Sequence, residues 1–425
     1  MNSCNKKVLI ISHNPLSRVN NNGKTLTSIF KGLPNENIYQ IYLSSDLPDY
    51  SNDCHYYQIN EKQIIASLAN RDICGKEVVP YSDDSVGRAK IRTGNFANHS
   101  KRLLREMIWK TGKWKKGLSD WLQDKNFDVV FFMAGDGLFA YDIYFFVSKH
   151  ITAKRCMFFT DDYVIGRTSF SPIASLRRTL LKKKINKALD ITENLYVISE
   201  EMRNTYKELF SKDGYIIRNF SVEKKDCDFQ SNPNSAHPNK LIMIYAGGLH
   251  YNRWKVLSQI AQCLKELNAS NDVKCFLKIY SSQDISADII NSISTEGASE
   301  FCGGVSGEQI ADVYANADIL LHVESFEKKA IASTKYSFST KIPEYLSANK
   351  CVLAVGPQEI ASMRFLSKCA CAVCENDKLF DVLSKIVSDS VYRKTIADNC
   401  ESEYEAVFSP QRQAECLDHI LSPIN

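Results

Sequence analysis

The chain has 425 residues, 44% hydrophobic and 24% charged, with a formal net charge of +4. It is too long for one ordinary core and too evenly mixed for a disordered or fibrous protein, so two globular domains are expected. No apolar run reaches the roughly 18–20 residues of a membrane helix, since the best stretch, Val129 to Val147, is broken by Asp136 and Asp142.

From the amino end, Lys6-Lys7 precedes Val8-Leu-Ile-Ile11, too short for a signal-peptide core, and Val8–Ser12 reads as a first strand. Asn14–Gly23 is a polar loop with three consecutive asparagines, Lys24–Gly32 begins a helix and Ile38–Leu43 is a second strand. Residues 44–95 have no clear period and are expected to carry an irregular insertion. Asp128–Met133, Arg155–Thr160, Leu195–Ser199 and Tyr215–Arg218 are further strands separated by helical patterns, which implies a parallel sheet covered on both faces. Residues 222–240 are polar and rich in Pro and Asn, a linker. Beyond it Leu241–Ala246, Val273–Tyr280 and Asp318–Val323 read as strands, and Trp254–Leu267, Asp284–Ser294, Glu308–Asn316, Lys378–Ile386 and Val391–Tyr404 as helices.

Charge and cysteine are unevenly placed. Residues 1–220 hold 33 Lys+Arg against 23 Asp+Glu, whereas residues 221–425 hold 20 against 26. The excess gathers in 101–187, with 18 basic and 8 acidic residues, and Trp109, Trp114 and Trp121 interleave with its first cluster. Basic residues among aromatics suit an anionic membrane surface or an anionic acceptor, although a solvated helix face carries the same pattern. No nucleic-acid motif accompanies them. Fourteen cysteines fit a reducing cytoplasm. Cys369-Ala-Cys-Ala-Val-Cys374 lacks a second CxxC or a nearby His pair and alternates like a half-buried strand, so no metal is expected there.

The most informative stretch is Tyr336-Ser-Phe-Ser-Thr-Lys-Ile-Pro-Glu-Tyr-Leu-Ser-Ala-Asn349, followed by the apolar run Cys351–Val355 and Gly356-Pro357. Ser339 and Thr340 are N-cap types, Pro343 suits a first helical turn and Asn349 suits a left-handed stop. Such a helix start, with Lys341, favours an anion, and Glu344 one turn further in could accept hydrogen bonds from sugar hydroxyls. A capped surface helix would look the same. Gly247-Gly248 after a strand, with Arg253 beyond, is a second candidate phosphate site, and equally an ordinary turn. No GxGxxG follows a strand, and Gly23-Lys24-Thr25 lacks the upstream glycine of a P-loop, having Arg18 there.

Together these segments resemble the donor-binding half of GT-B glycosyltransferases, in particular glycosyltransferase family 4 members that build bacterial surface polysaccharides. The resemblance rests on Tyr245-Ala-Gly-Gly-Leu-His-Tyr-Asn-Arg253, Gly303-Gly-Val305 with Tyr314–Ser325, and Phe338-Ser-Thr-Lys-Ile-Pro-Glu-Tyr-Leu346. More loosely it includes Phe159-Thr-Asp-Asp-Tyr163 and Val197-Ile-Ser-Glu-Glu-Met202. It implies an α/β fold of two Rossmann-like domains with parallel sheets facing an interdomain cleft. The domains would be residues 1–221 on the acceptor side and 241–407 on the donor side, with 408–425 a C-terminal helix crossing back to the first.

The resemblance implies a metal-independent hexosyltransferase, needing no cofactor. It would move a sugar from a nucleotide-diphosphate sugar to a glycan or lipid-linked acceptor, with retention, in surface polysaccharide biosynthesis. Glu344 would bind the ribose, Gly248, Ser339, Thr340 and Lys341 the diphosphate, and Arg253 would add a second positive charge. Gly23 would let its loop approach the transferred sugar or the phosphates, and Asp161 or Asp162 would orient or deprotonate the acceptor hydroxyl, although an N-cap beside a solvated Asp gives the same pattern. Two positions depart from the family pattern: its earlier Glu falls on Tyr336, and its first pyrophosphate Arg on Leu249. A cytoplasmic protein, peripheral at the inner face of the membrane through residues 101–187, is expected. A nucleotide-sugar 2-epimerase shares the layout, and a degenerate, non-catalytic binding module is a third reading.

Overall fold

The computed structural model describes residues 5–18, 21–70, 73–80, 99–165, 172–220, 239–307 and 309–423; the expected linker lies almost wholly outside them. The chain divides into two compact units, Met1–Asn219 with Gln413–Asn425, and Phe220–Arg412.

The first unit is built on one sheet of eight strands: β1 (Val8–Ser12), β2 (Ile38–Tyr42), β3 (His55–Gln58), β4 (Lys76–Val78), β5 (Val129–Ala134), β6 (Lys154–Phe159), β7 (Asn194–Val197) and β8 (Gly214–Ile216). Their order is β4-β3-β2-β1-β5-β6-β7-β8, parallel except for β4 against β3. Val8 sits opposite Ile38 on one side and Val129 on the other. β1 and β5 are buried at every position, which is why they read as unbroken apolar runs without alternation.

Residues 44–95 are more regular than expected, since β3, a helix at Glu61–Asn70 and β4 fall there; residues 81–98 lie outside the described set. The strands are three or four residues long, too short to show a period. The first helix, Asn21–Ile29, starts inside the stretch that reads as loop. The tryptophans also differ from expectation. Trp109, Trp114 and Trp121 are all buried. Trp109 stacks on Phe139 at 4.4 Å and donates to Glu61 at 2.8 Å, and Trp121 donates to Glu77 at 2.6 Å. The indoles therefore line the core under the basic helices, each polar N–H satisfied.

The second unit carries β9 (Lys240–Ala246), β10 (Lys274–Tyr280), β11 (Ser299–Gly303), β12 (Ile319–Val323), β13 (Cys351–Val355) and β14 (Cys371–Val373). The sheet is parallel, in the order β11-β10-β9-β12-β13-β14. The chain steps outward from β9 to β11, returns, and steps out the other way from β12. That reversal leaves a crevice at the carboxyl ends of β9 and β12, where open α/β sheets bind ligands. Helix Arg253–Ser270 buries Val256, Leu257, Ile260, Ala261, Leu264 and Leu267 at helical spacing. Among the described residues no helix is long and apolar enough to cross a membrane.

Candidate functional site

At the carboxyl end of β12 the apolar strand gives way to Glu324, whose N–H donates to Val355 O at 2.8 Å and so extends the pairing with β13. Gly356 permits this approach, because a Cβ there would lie 2.7 Å from Glu324 Cβ. At the carboxyl end of β9 the chain turns through Gly247-Gly248 to Arg253. Tyr251 and Asn252 both take left-handed backbone conformations, φ 59° and 61°, a costly geometry for Tyr251 that clusters at ligand sites.

The turn aims Arg253 at Glu324. Its Nη2 donates to both carboxylate oxygens, at 2.9 and 2.7 Å, and its Nε donates to Oε2 at 3.1 Å. The side chains are 15% and 5% exposed, so this is a buried, forked ion pair. Arg253 Nη1 lies 3.2 Å from His250 Nε2. Gln283, whose Oε1 accepts from Leu249 N–H, places its Nε2 donor 3.0 Å from His250 Nδ1, so each ring nitrogen faces a donor. Tyr245 donates to Gly248 O at 2.7 Å, and Leu249 N–H donates to Gln283 Oε1 at 2.7 Å. A Cβ on Gly248 would strike the His250 ring at 2.5 Å, which accounts for the glycine.

His322, on β12, completes the cluster. It is buried, its Nε2 is 3.5 Å from Glu324 Oε1, and that nitrogen has no hydrogen-bond partner. Burial first, then the charges of Arg253 and Lys341, push its pKa down to about 3, so the ring is neutral. The same causes in the same order lower His250 to about 4. Burial raises Glu324 above the usual carboxylate range, and Arg253 opposes that rise.

Lys341, from a distant part of the chain, thus acts on the same two histidines as Arg253. Arg253 is matched by Glu324, and Lys341 adds a further cation within electrostatic reach of both histidines. Such a place suits an anion.

The remaining expected residues fall as follows. Helix Ile342–Ser347 starts one or two residues later than the N-cap types suggest. Lys341 is the N-cap, without a side-chain cap bond, and Pro343 sits in the first turn. The reason is visible at Ser339, whose N–H is drawn off to Ser362 Oγ at 3.0 Å and whose hydroxyl accepts weakly from Lys341 N–H at 3.4 Å. Thr340 and Glu344 are half-buried beside it, and Asn349 has the expected left-handed φ of 50°. Tyr336 is buried beneath the Lys335 ammonium at 5.3 Å, and Leu249 is buried as well.

Gly23 and Asp161 belong to the first unit. A Cβ on Gly23 would meet Pro15 O at 2.5 Å and Ser17 Cβ at 2.6 Å, so the glycine lets the first helix pack against the loop before it. Asp161 follows β6 and accepts from Asp162 N–H at 2.9 Å. The Asp162 carboxylate caps Val164 and Ile165 N–H at 2.9 and 3.0 Å, a turn-forming role.

Glu324, His322 and His250 were given no role on sequence grounds. For His322 and Glu324 the signal was a histidine within an otherwise apolar, buried strand and a carboxylate directly after it.

No family model and no curated protein sequence matches the chain. Solved structures do. An alpha,alpha-trehalose-phosphate synthase (UDP-forming) from Burkholderia xenovorans, in complex with glucose-6-phosphate, is similar at 8% identity and TM-score 0.61 over 98% of this chain and 100% of its own. WaaG, a glycosyltransferase involved in lipopolysaccharide biosynthesis, is similar at 12% identity and TM-score 0.58, covering 98% and 100%. A glycosyltransferase from Rickettsia africae is similar at 14% identity and TM-score 0.59, covering 98% and 99%. At such identities the likeness is one of fold, and the chain has the GT-B fold of two Rossmann-like units.

Proposed function

We propose that this protein is a glycosyltransferase that takes a nucleotide-diphosphate sugar and transfers its sugar to a hydroxyl of a glycan or lipid-linked acceptor. The observation that carries the reading is the convergence of Arg253 and Lys341 on one cluster at the β9/β12 crevice of the second sheet. The fold shared with a UDP-forming synthase and two glycosyltransferases supports it.

In this reading Lys341 faces the diphosphate and Glu344 the ribose. Arg253 adds fixed positive charge from behind, held in place by Glu324. As the bond from the anomeric carbon to the phosphate oxygen breaks, negative charge grows on the leaving diphosphate, and preoriented cations in a dry site favour that charge without reorganising. The chemistry is hexosyl transfer with retention and without a metal, and the acceptor belongs to surface polysaccharide biosynthesis.

The test is turnover of a panel of nucleotide sugars, with and without lipid-linked acceptors, in EDTA. Nucleoside diphosphate released only when an acceptor is present supports the reading. Donor consumed equally well without acceptor supports an epimerase or hydrolase, and no turnover with any donor removes the enzyme reading.

A further inference from the structure

Residues 335–341, which deliver Lys341 to the crevice, belong to no helix or strand of their own. The backbone of such a stretch must find its partners elsewhere. It finds several on one short helix, Ala361–Leu366, which follows β13 and lies against β13 and β14. All of that helix except Arg364 is buried, so it is a firm base. Ala361 N–H donates to Lys335 O at 2.9 Å. The Phe338 ring meets Phe365 edge-on at 5.2 Å, and Phe365 in turn meets Phe408 at 5.7 Å. Between these contacts lies Ser362, 1% exposed. Its hydroxyl accepts from Ser339 N–H at 3.0 Å and donates to Ser337 O at 3.2 Å, so one oxygen spans the backbone on both sides of Phe338.

A serine in a helix ordinarily turns its hydroxyl back on its own helix. Ser67 does so to Ile64 O at 2.7 Å, and Ser347 to Glu344 O at 3.0 Å. Ser362 instead reaches partners 23 and 25 residues earlier in the chain. Its single proton is spent on Ser337, which fixes the direction of the hydroxyl. The Ser339 amide is thereby turned toward the helix. Beyond it Ser339 O accepts from Ile342 N–H at 3.2 Å and Lys341 O from Tyr345 N–H at 2.9 Å, which starts the helix carrying Glu344. The course of the backbone at Thr340 and Lys341 is set from Ser362.

We infer that Ser362 is a positioning residue for Lys341. It touches no substrate itself; it clips the turn to a buried helix, so that the ammonium is already placed when a diphosphate arrives. Without the hydroxyl the Ser339 amide loses its partner and turns to seek another, carrying Lys341 with it. The inference rests on the reading of Lys341 as the diphosphate contact.

The test compares Ser362→Thr with Ser362→Val in the full-length protein, since the two side chains have the same shape and differ by the hydroxyl. Calorimetric titration reads UDP and GDP affinity, alone and combined with Lys341→Ala. Hydrogen exchange of the ligand-free protein reads the amides of 336–346. The threonine variant is expected to stay within about threefold of wild-type affinity. The valine variant should bind about tenfold more weakly and exchange about tenfold faster over 336–346, and Ser362→Ala, which crowds nothing, should behave as valine does. Added to Lys341→Ala, the valine substitution should cost no more than about a further threefold, because both remove the same contact. Equal affinities for the threonine and valine variants, with wild-type binding intact, overturn the inference, as does full additivity with Lys341→Ala. If wild-type protein binds neither nucleotide, the donor reading fails. Exchange alone then decides the hold of Ser362 on the turn: faster exchange in the valine variant supports it, and unchanged exchange overturns it.

Discussion

Arg253 forks onto Glu324 with three hydrogen bonds of 2.7–3.1 Å at the reversal point of the second sheet. Glu324 is buried and the Arg253 side chain is only 15% exposed, so neither charge tolerates loss of the other. Glu324→Ala strands a guanidinium and is expected to destabilise the second unit by about 3–5 kcal/mol. Replacing both by leucine is expected to recover most of that. Urea unfolding of the two variants checks both statements, and equal losses would show that the pair does not act as a unit.

Burial keeps His322 neutral, with its pKa down at about 3, whereas in the unfolded chain it titrates near 6.5. The unfolded state therefore binds the extra proton as pH falls below 6.5. Stability from this residue is complete above that pH and declines toward pH 3, by up to about 1.4 kcal/mol per unit. Glu324, whose pKa is raised, works in the opposite sense where it titrates. The difference between wild type and His322→Leu isolates the histidine: the variant should lose less stability from pH 6.5 to 4. Parallel curves would contradict the assignment.

Gly23 and Gly135 make a matched pair. A Cβ at 23 meets backbone and side chain within 2.6 Å, while a Cβ at 135 meets nothing within 4 Å. Gly23→Ala should cost about 1–3 kcal/mol, since overpacking pushes the first helix from the loop at Pro15 and Ser17. Gly135→Ala should fall within about 0.5 kcal/mol of wild type. Thermal unfolding separates them.

Trp109 is buried against Phe139 and Leu104 is more than half exposed, although both belong to the same basic helix. Trp109→Ala should cost about 3–5 kcal/mol, and Leu104→Ala no more than about 0.5 kcal/mol. Chemical denaturation of both variants checks which residue belongs to the core.

The central strands were legible because burial on both faces demands unbroken apolar runs, as in Val8–Ile11 and Cys351–Val355. β3 and β4 were not, being too short to carry a period and set by pairing, β3 with β2 and β4 with β3. The aromatic reading of the basic region failed for a similar reason. Interleaving in sequence says nothing of which way a tryptophan faces, and Trp109, Trp114 and Trp121 face inward. At the candidate site, Lys341 and Arg253 were legible from their positions after a strand and at a helix start. Glu324 was not, because its partner lies across the sheet and only the fold brings Arg253 to it.

The most direct test of the central claim is calorimetric titration of UDP and GDP into the wild-type protein, Lys341→Ala and Glu344→Ala, with folding verified for each. The account predicts that at least one nucleoside diphosphate binds, stabilising the protein by about 2.7 kcal/mol at about 100 times its dissociation constant. Either substitution should weaken binding at least tenfold. No binding by any nucleoside diphosphate, or equal affinity in all three proteins, would contradict it.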